Sequence, residues 1–263
     1  MRNLNCHLIQ CKLAWEAPAD NRRQFEDIIS TLSGQIDLII LPEMFNTGFS
    51  MSALANAEEP GGATELWLGQ LARRYNCALS GSIAVRVGDA VYNRMLFATP
   101  QSCHSYDKRH LFRMAGEHHR YAPGSQRVIV NWRGWRILLQ ICYDLRFPVF
   151  SRNQQDYDLA LYVANWPAPR RLHWRNLLQA RAIENLACVI GVNRIGSDAK
   201  GNNYAGDSLV IAGNGEILVD MKNKNGTASA LLNGTILLNY RESFPCQLDA
   251  DAFQLASVVT DAW

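Results

Sequence analysis

The sequence predicts one mixed α/β domain, and three observations predict it. Short runs rich in Leu, Ile and Val alternate with longer stretches of helical periodicity, and glycine-centred breaks join neighbouring strand-like runs as hairpins. No linker, low-complexity stretch or internal repeat divides the 263 residues. That length is ordinary for one large α/β domain, so residues 1–263 read as a single unit with a C-terminal tail from about residue 251.

Taken in order, Leu4–Leu13 reads as a strand, Asp20–Leu32 as a helix and Asp37–Leu41 as a second strand, a βαβ unit. A helix over Ala63–Tyr75, with Leu66, Trp67 and Leu71 on one stripe, leads into strands Ala78–Val87 and Val91–Thr99 around a Gly88-Asp89 turn. Residues 104–127 are polar and crowded with His, Arg, Gly and Pro, and read as a long loop of the kind that often carries function. Val128–Trp132 and Trp135–Cys142 bracket Gly134 as a hairpin, followed by a short helix over Phe147–Asn153. A strand at Asp158–Val163, a helix at Leu172–Ala187 and a strand at Cys188–Asn193 continue the alternation. A hairpin over Ser208–Met221 then turns through Gly213-Asn214-Gly215, and a C-terminal segment begins near Gly234.

Composition narrows the function classes. With 26 Lys+Arg against 24 Asp+Glu, and no long block of either sign, nothing asks for nucleic acid or an acidic membrane surface. The first seven residues are too polar to begin a signal peptide, and no apolar run approaches the ~18–20 residues of a membrane span. A cytoplasmic protein is expected. The seven cysteines, at positions 6, 11, 77, 103, 142, 188 and 246, are scattered without CxxC spacing, as reduced thiols would be.

Cys142 follows Ile137-Leu138-Leu139-Gln140-Ile141 and, read alone, could be a small core hydrophobe. A strand ending there and a helix starting near Phe147 instead place the thiol on a strand-to-helix turn, which exposes a nucleophile at a sheet edge. With a free pKa of ~8.5 such a thiol needs a base or a cation beside it. The six histidines carry no papain-type signature near the cysteine, which disfavours a Cys-His-Asp protease. The adjacent side chains of His118-His119 should diverge, and no companion ligand sits at zinc spacing, so no metal site is expected. Glu43 directly follows the apolar run Leu38-Ile39-Ile40-Leu41-Pro42, and Lys108 lies in Tyr106-Asp107-Lys108-Arg109-His110. A solvated loop glutamate and a solvated basic patch are the bland alternatives.

The ordered set is more specific than its parts. Leu41-Pro42-Glu43-Met44-Phe45, then Tyr106-Asp107-Lys108-Arg109-His110-Leu111-Phe112, then Ile141-Cys142-Tyr143-Asp144-Leu145-Arg146-Phe147-Pro148 resembles the pattern of the nitrilase (carbon-nitrogen hydrolase) superfamily. Tyr162-Val163-Ala164-Asn165-Trp166-Pro167 and Arg181-Ala182-Ile183-Glu184-Asn185 extend the resemblance over nearly the whole chain.

The resemblance implies a four-layer αββα sandwich with mixed sheets, paired as a homodimer. It assigns Glu43 as base, Lys108 as cation, Cys142 as nucleophile and Glu117 as a second glutamate that positions Lys108 and the substrate amide. In that chemistry Glu43 takes the thiol proton, Cys142 attacks the amide carbon, and the oxyanion is held by Lys108 and the backbone N–H of Tyr143. No metal or organic cofactor is needed.

Asn165-Trp166-Pro167 and the segment from Tyr143 to Pro148 place the resemblance nearest the omega-amidase branch, which removes the terminal amide of 2-oxo acids such as 2-oxoglutaramate and 2-oxosuccinamate. A substrate of that kind needs a cation for its free carboxylate; Arg146, Arg170 and Arg171 are the candidates, with Asn165 and Trp166 as further pocket residues. Structural ion pairs are the alternative for the arginines, and core packing for Trp166. Three readings stay open: this activity, hydrolysis of another small amide or carbamoyl amine, and a non-catalytic protein retaining the fold. A nitrile substrate would use the same three residues. The tail from Leu255 to Trp263 matches no motif.

Overall fold

The computed structural model describes residues 1–255. The last eight residues of the expected tail lie outside it.

The chain opens with β1 (Leu4–Gln10), α1 (Pro18–Ser30) and β2 (Leu38–Ile40). Pro18 starts α1 where a missing N–H costs nothing. A single turn, α2 (Ala53–Asn56), precedes α3 (Ala63–Tyr75), which ends at Asn76 in the left-handed conformation, φ 47°. Three antiparallel neighbours follow: β3 (Ala78–Val87), β4 (Ala90–Ala98) and β5 (Cys103–Asp107). The second half runs β6 (Ile129–Trp132), β7 (Trp135–Ile141), α4 (Pro148–Ser151), β8 (Leu159–Ala164), α5 (Arg171–Asn185) and β9 (Cys188–Asn193). A small hairpin, β10 (Ile195–Ser197) with β11 (Asn203–Ala205), leads to β12 (Leu209–Ile211), β13 (Ile217–Asp220), β14 (Gly226–Leu232) and α6 (Gly234–Ser243).

These strands make two six-stranded sheets, in the orders β14-β1-β2-β3-β4-β5 and β13-β12-β9-β8-β7-β6. Each has a parallel centre, β1-β2-β3 or β7-β8-β9, flanked by antiparallel strands, so both are mixed as expected. Strand alternation builds the layers. Leu38 and Ile40 point into the core between the sheets, while Ile39 points outward to Phe25 and Ile29 of α1 and Leu68 and Leu71 of α3. On the far side Trp174, Leu178 and Ala182 of α5 and Leu237 of α6 cover the second sheet. The order is helices, sheet, sheet, helices: the four-layer sandwich.

One expectation changes, and the structure adds strands that the sequence did not mark. Residues 104–127 are not all loop, because β5 occupies the start and two 3-10 turns, Arg113–Ala115 and Glu117–His119, occupy the middle. β5 escapes a hydrophobicity reading because Cys103, His104 and Ser105 are exposed on an edge strand. β14 was hidden by its half-polar alternation, and β10 and β11 by a length of three residues each. No helix among the described residues is long and apolar enough to cross a membrane.

Candidate active site

Four segments converge where the parallel strands of both sheets end. After β2, Leu41 and Phe45 donate their N–H groups to Ser80 and Ser82 carbonyls, and Met44 N–H donates to Ser82 Oγ, so the loop bearing Glu43 is pinned to β3. After β5, Lys108 N–H donates to the Asn93 carbonyl, and Gly124 N–H donates to the Lys108 carbonyl. After β7, the strand stops at Ile141 and Cys142 opens a 3-10 turn that runs to Arg146. Asn165 and Trp166 follow β8.

The charged side chains meet almost out of water. Lys108 Nζ donates to Glu43 Oε1 at 2.9 Å and to both Glu117 oxygens at 3.0 Å, and each of the three side chains is at most 1% exposed. Asn93 Nδ2 donates to Glu43 Oε1 at 2.8 Å and to Glu117 Oε1 at 3.3 Å. The second Glu43 oxygen accepts the Asn165 N–H at 2.7 Å, and Glu117 Oε2 accepts the Phe112 N–H at 2.6 Å. Burial works against the Lys108 ammonium, but the Glu117 and Glu43 carboxylates outweigh it and hold its pKa above the usual lysine value. Burial pushes the Glu117 carboxyl up, Lys108 opposes the push and Glu43 adds to it.

Cys142 sits at φ 43°, in the left-handed region that a side chain adopts only where the surroundings enforce it. The residue as a whole is buried, 8% exposed. Burial first, then the Glu43 carboxylate, push the thiol pKa well up, while Lys108 pulls it down. At rest the sulfur keeps its proton, with a carboxylate facing it that can take that proton and an ammonium that can hold developing negative charge.

Glu43, Lys108, Cys142, Tyr143, Arg146, Asn165, Trp166 and Arg170 all line one cavity of about 220 Å³. Glu117 does not line it but holds Lys108 and the Phe112 backbone, which do. Arg146 stacks on the Trp166 ring at 4.7 Å and donates to His173 Nδ1 at 3.1 Å, and Arg170 stacks on Phe112 at 5.4 Å. Neither pairs with a carboxylate among the described residues, which leaves their N–H edges for a ligand. Arg171 does not belong here: Asp207 holds it in a two-point ion pair at 2.8 and 2.9 Å. The Asn165 amide turns its Nδ2 to the Glu43 backbone carbonyl at 2.5 Å, so that side chain orients the Glu43 loop while lining the wall. The His118 and His119 rings do not diverge as the sequence suggested but lie against each other, centroids 3.8 Å apart.

Several contributors were invisible to motif reasoning. Asn93 bridges two of the acids from inside β4; its one signal is a polar residue at an inward position of an apolar strand. Lys200, Asn202 and Tyr204 reach the cavity from the β10–β11 hairpin, Phe49 and Met51 from the loop before α2, and Met114 from the first 3-10 turn. Only the fold brings these together.

Comparison with known proteins agrees with this arrangement. Residues 8–240 match the carbon-nitrogen hydrolase family. The chain is 49% identical to the omega-amidase YafV of Escherichia coli strain K12 over 257 residues, covering 97% of this chain and 100% of that one. It is 33% identical to a 2-oxoglutaramate amidase of Bacillus subtilis strain 168, over 90% of this chain and 93% of that one. Among solved structures, XC1258 of Xanthomonas campestris, a CN-hydrolase superfamily protein with an arsenic adduct in its active site, superposes with a TM-score of 0.95 at 44% identity, covering 97% of this chain and all of that one. With two mixed sheets between helices, a Glu-Lys-Cys cluster at their strand ends and these relatives along almost its whole length, the chain belongs to the carbon-nitrogen hydrolase family.

Proposed function

We propose that this protein hydrolyses the terminal amide of small 2-oxo dicarboxylic acid monoamides, 2-oxoglutaramate and 2-oxosuccinamate, to the 2-oxo acid and ammonia. The observation that carries the reading is the buried Glu43–Lys108–Glu117 cluster beside the Cys142 thiol in a cavity that also presents Arg146, Arg170 and Lys200. Against those cations the cavity sets one carboxylate, Glu43, and this surplus of positive charge suits an amide that carries its own carboxylate. The omega-amidase and 2-oxoglutaramate amidase relatives support the same substrate class.

In the first half-reaction Glu43 removes the Cys142 proton as the sulfur attacks the amide carbon. The C=O π pair moves to oxygen, and the Lys108 ammonium and the Tyr143 N–H stabilise the oxyanion. Collapse breaks the C–N bond, Glu43 gives its proton to the leaving nitrogen, and ammonia departs from a Cys142 thioester. Glu43 then deprotonates water, which attacks the thioester. The carboxylic product leaves and the proton returns to sulfur. Glu117 keeps Lys108 aimed and charged. Arg146 receives the distal carboxylate, with Trp166 as a wall.

Ammonia release from 2-oxoglutaramate, 2-oxosuccinamate, glutamine, asparagine, propionamide and simple nitriles tests the assignment. The two 2-oxo monoamides should turn over fastest, and Cys142→Ala should abolish release. Full activity in that variant would sink the mechanism; a preference for neutral amides or nitriles would sink the substrate class.

We also take the chain to be one domain, since both sheets share a single core. We place it in the cytoplasm, which the seven unpaired cysteines support, and infer that it pairs as a homodimer.

A further inference from the structure

We propose that Asp144 is a positioning residue that locks the Cys142 turn to the segment carrying Lys108, and so sets the spacing between nucleophile and cation. The proposal rests on the roles given above to those two residues. Asp144 is fully buried, and its two oxygens accept four hydrogen bonds. Oδ2 accepts the Tyr106 hydroxyl at 2.7 Å and the Ile141 N–H at 2.9 Å. Oδ1 accepts the His110 N–H at 3.0 Å and His110 Nδ1–H at 2.8 Å.

The partners explain what those bonds do. Tyr106 and His110 stand two residues either side of Lys108, and Ile141 immediately precedes Cys142. One carboxylate therefore joins the end of β5 in the first sheet to the end of β7 in the second, at the point where ammonium and thiol approach. The bond to Ile141 N–H also closes the turn whose first residue is strained at φ 43°. His110 is held flat against Phe147, ring centroids 4.0 Å apart, and Phe147 ends the same turn. Burial, and then Asp144 itself, keep the Tyr106 phenol protonated and donating. Bonds to an ionised acceptor are short and directional, and displacement of a reacting group by about 1 Å can cost on the order of 10²-fold in rate.

Asp144→Asn keeps the shape but turns an NH2 toward two of the four donors. Circular dichroism should report a retained fold, with kcat for ammonia release down by about 30-fold or more and KM within about twofold. Alkylation of Cys142 by iodoacetamide, which needs no amide substrate, should slow by about tenfold with a displaced pH profile. Tyr106→Phe removes one donor and introduces none, and should lower both rates by a smaller factor in the same direction. A folded Asp144→Asn protein with the parent's kcat and alkylation profile overturns the proposal, as does a loss confined to thermal stability. Should Asp144→Asn fail to fold, Tyr106→Phe decides alone, and parental kcat and alkylation there overturn it. If the parent alkylates normally yet hydrolyses no amide in the panel, the substrate assignment fails while the alkylation comparison still judges Asp144.

Discussion

Lys108 is held between Glu43 and Glu117 at 2.9 and 3.0 Å, so removing its single charge strands two carboxylates away from water. Because its pKa is raised on folding, the stability this shift contributes is fully present below the ordinary lysine pKa of 10.5 and is lost as pH climbs through the higher folded value. At neutral pH, Lys108→Met should cost roughly 3–5 kcal/mol, as broken buried pairs do. The loss should be pH-dependent. Glu117 is already pushed up by burial and by Glu43, and without the opposing lysine it rises further, so a proton can neutralise it. Urea unfolding of parent and variant should show a deficit that narrows as pH is lowered from about 8 to about 5. An equal deficit at both ends contradicts the stranded-carboxylate account.

Elements matter here mainly through where they stop. The sequence placed β3, α3 and β9 at their observed bounds because each is a strongly periodic or continuous apolar run between clear breaks. Its ordered motifs also singled out Glu43, Lys108, Cys142 and Glu117, which the fold brings to one place. It missed Asn93 and the β10–β11 hairpin because their roles come from sheet order and a crossing of segments, neither of which leaves a local signature. For Arg171 it left a pocket cation and a structural ion pair open, and the structure shows the ion pair, since a guanidinium beside the site in sequence can turn to Asp207 in space. Gly124 shows how tightly the strand ends are fitted. A Cβ there would collide with the Asp107 carbonyl oxygen, a backbone atom that cannot step aside, and Gly124 N–H already holds the Lys108 carbonyl at 2.8 Å. Gly124→Ala should therefore shift the Lys108 segment, costing about 1–3 kcal/mol and lowering kcat by about tenfold or more. Unchanged kcat would mean the segment can relax without moving the ammonium.

On the scale of the whole molecule, the four layers leave large apolar side chains uncovered on the outer helices. Val149 of α4 and Leu172 and Ile183 of α5 are 60%, 64% and 50% exposed, which is what a face used between two copies would show. Light scattering should give twice the chain mass of 29.6 kDa, and Leu172→Lys should shift it toward one copy; a parent that is monomeric at micromolar concentration removes the homodimer assignment. The layering was legible as an alternation of elements, whereas the closure of the first sheet was not, because β14 pairs with β1 from the other end of the chain, Leu4 against Leu232 and Gln10 against Gly226. That closure has a consequence during synthesis. At roughly 5–20 residues per second, a ribosome delivers β14 on the order of tens of seconds after β1 has emerged. Throughout that interval β1 presents an open row of N–H and C=O groups beside Leu4, Cys6 and Leu8, the kind of edge on which unfinished chains aggregate. Yield in a cell should then depend on chaperones that shield strand edges on nascent chains more than on the stability of the finished sandwich.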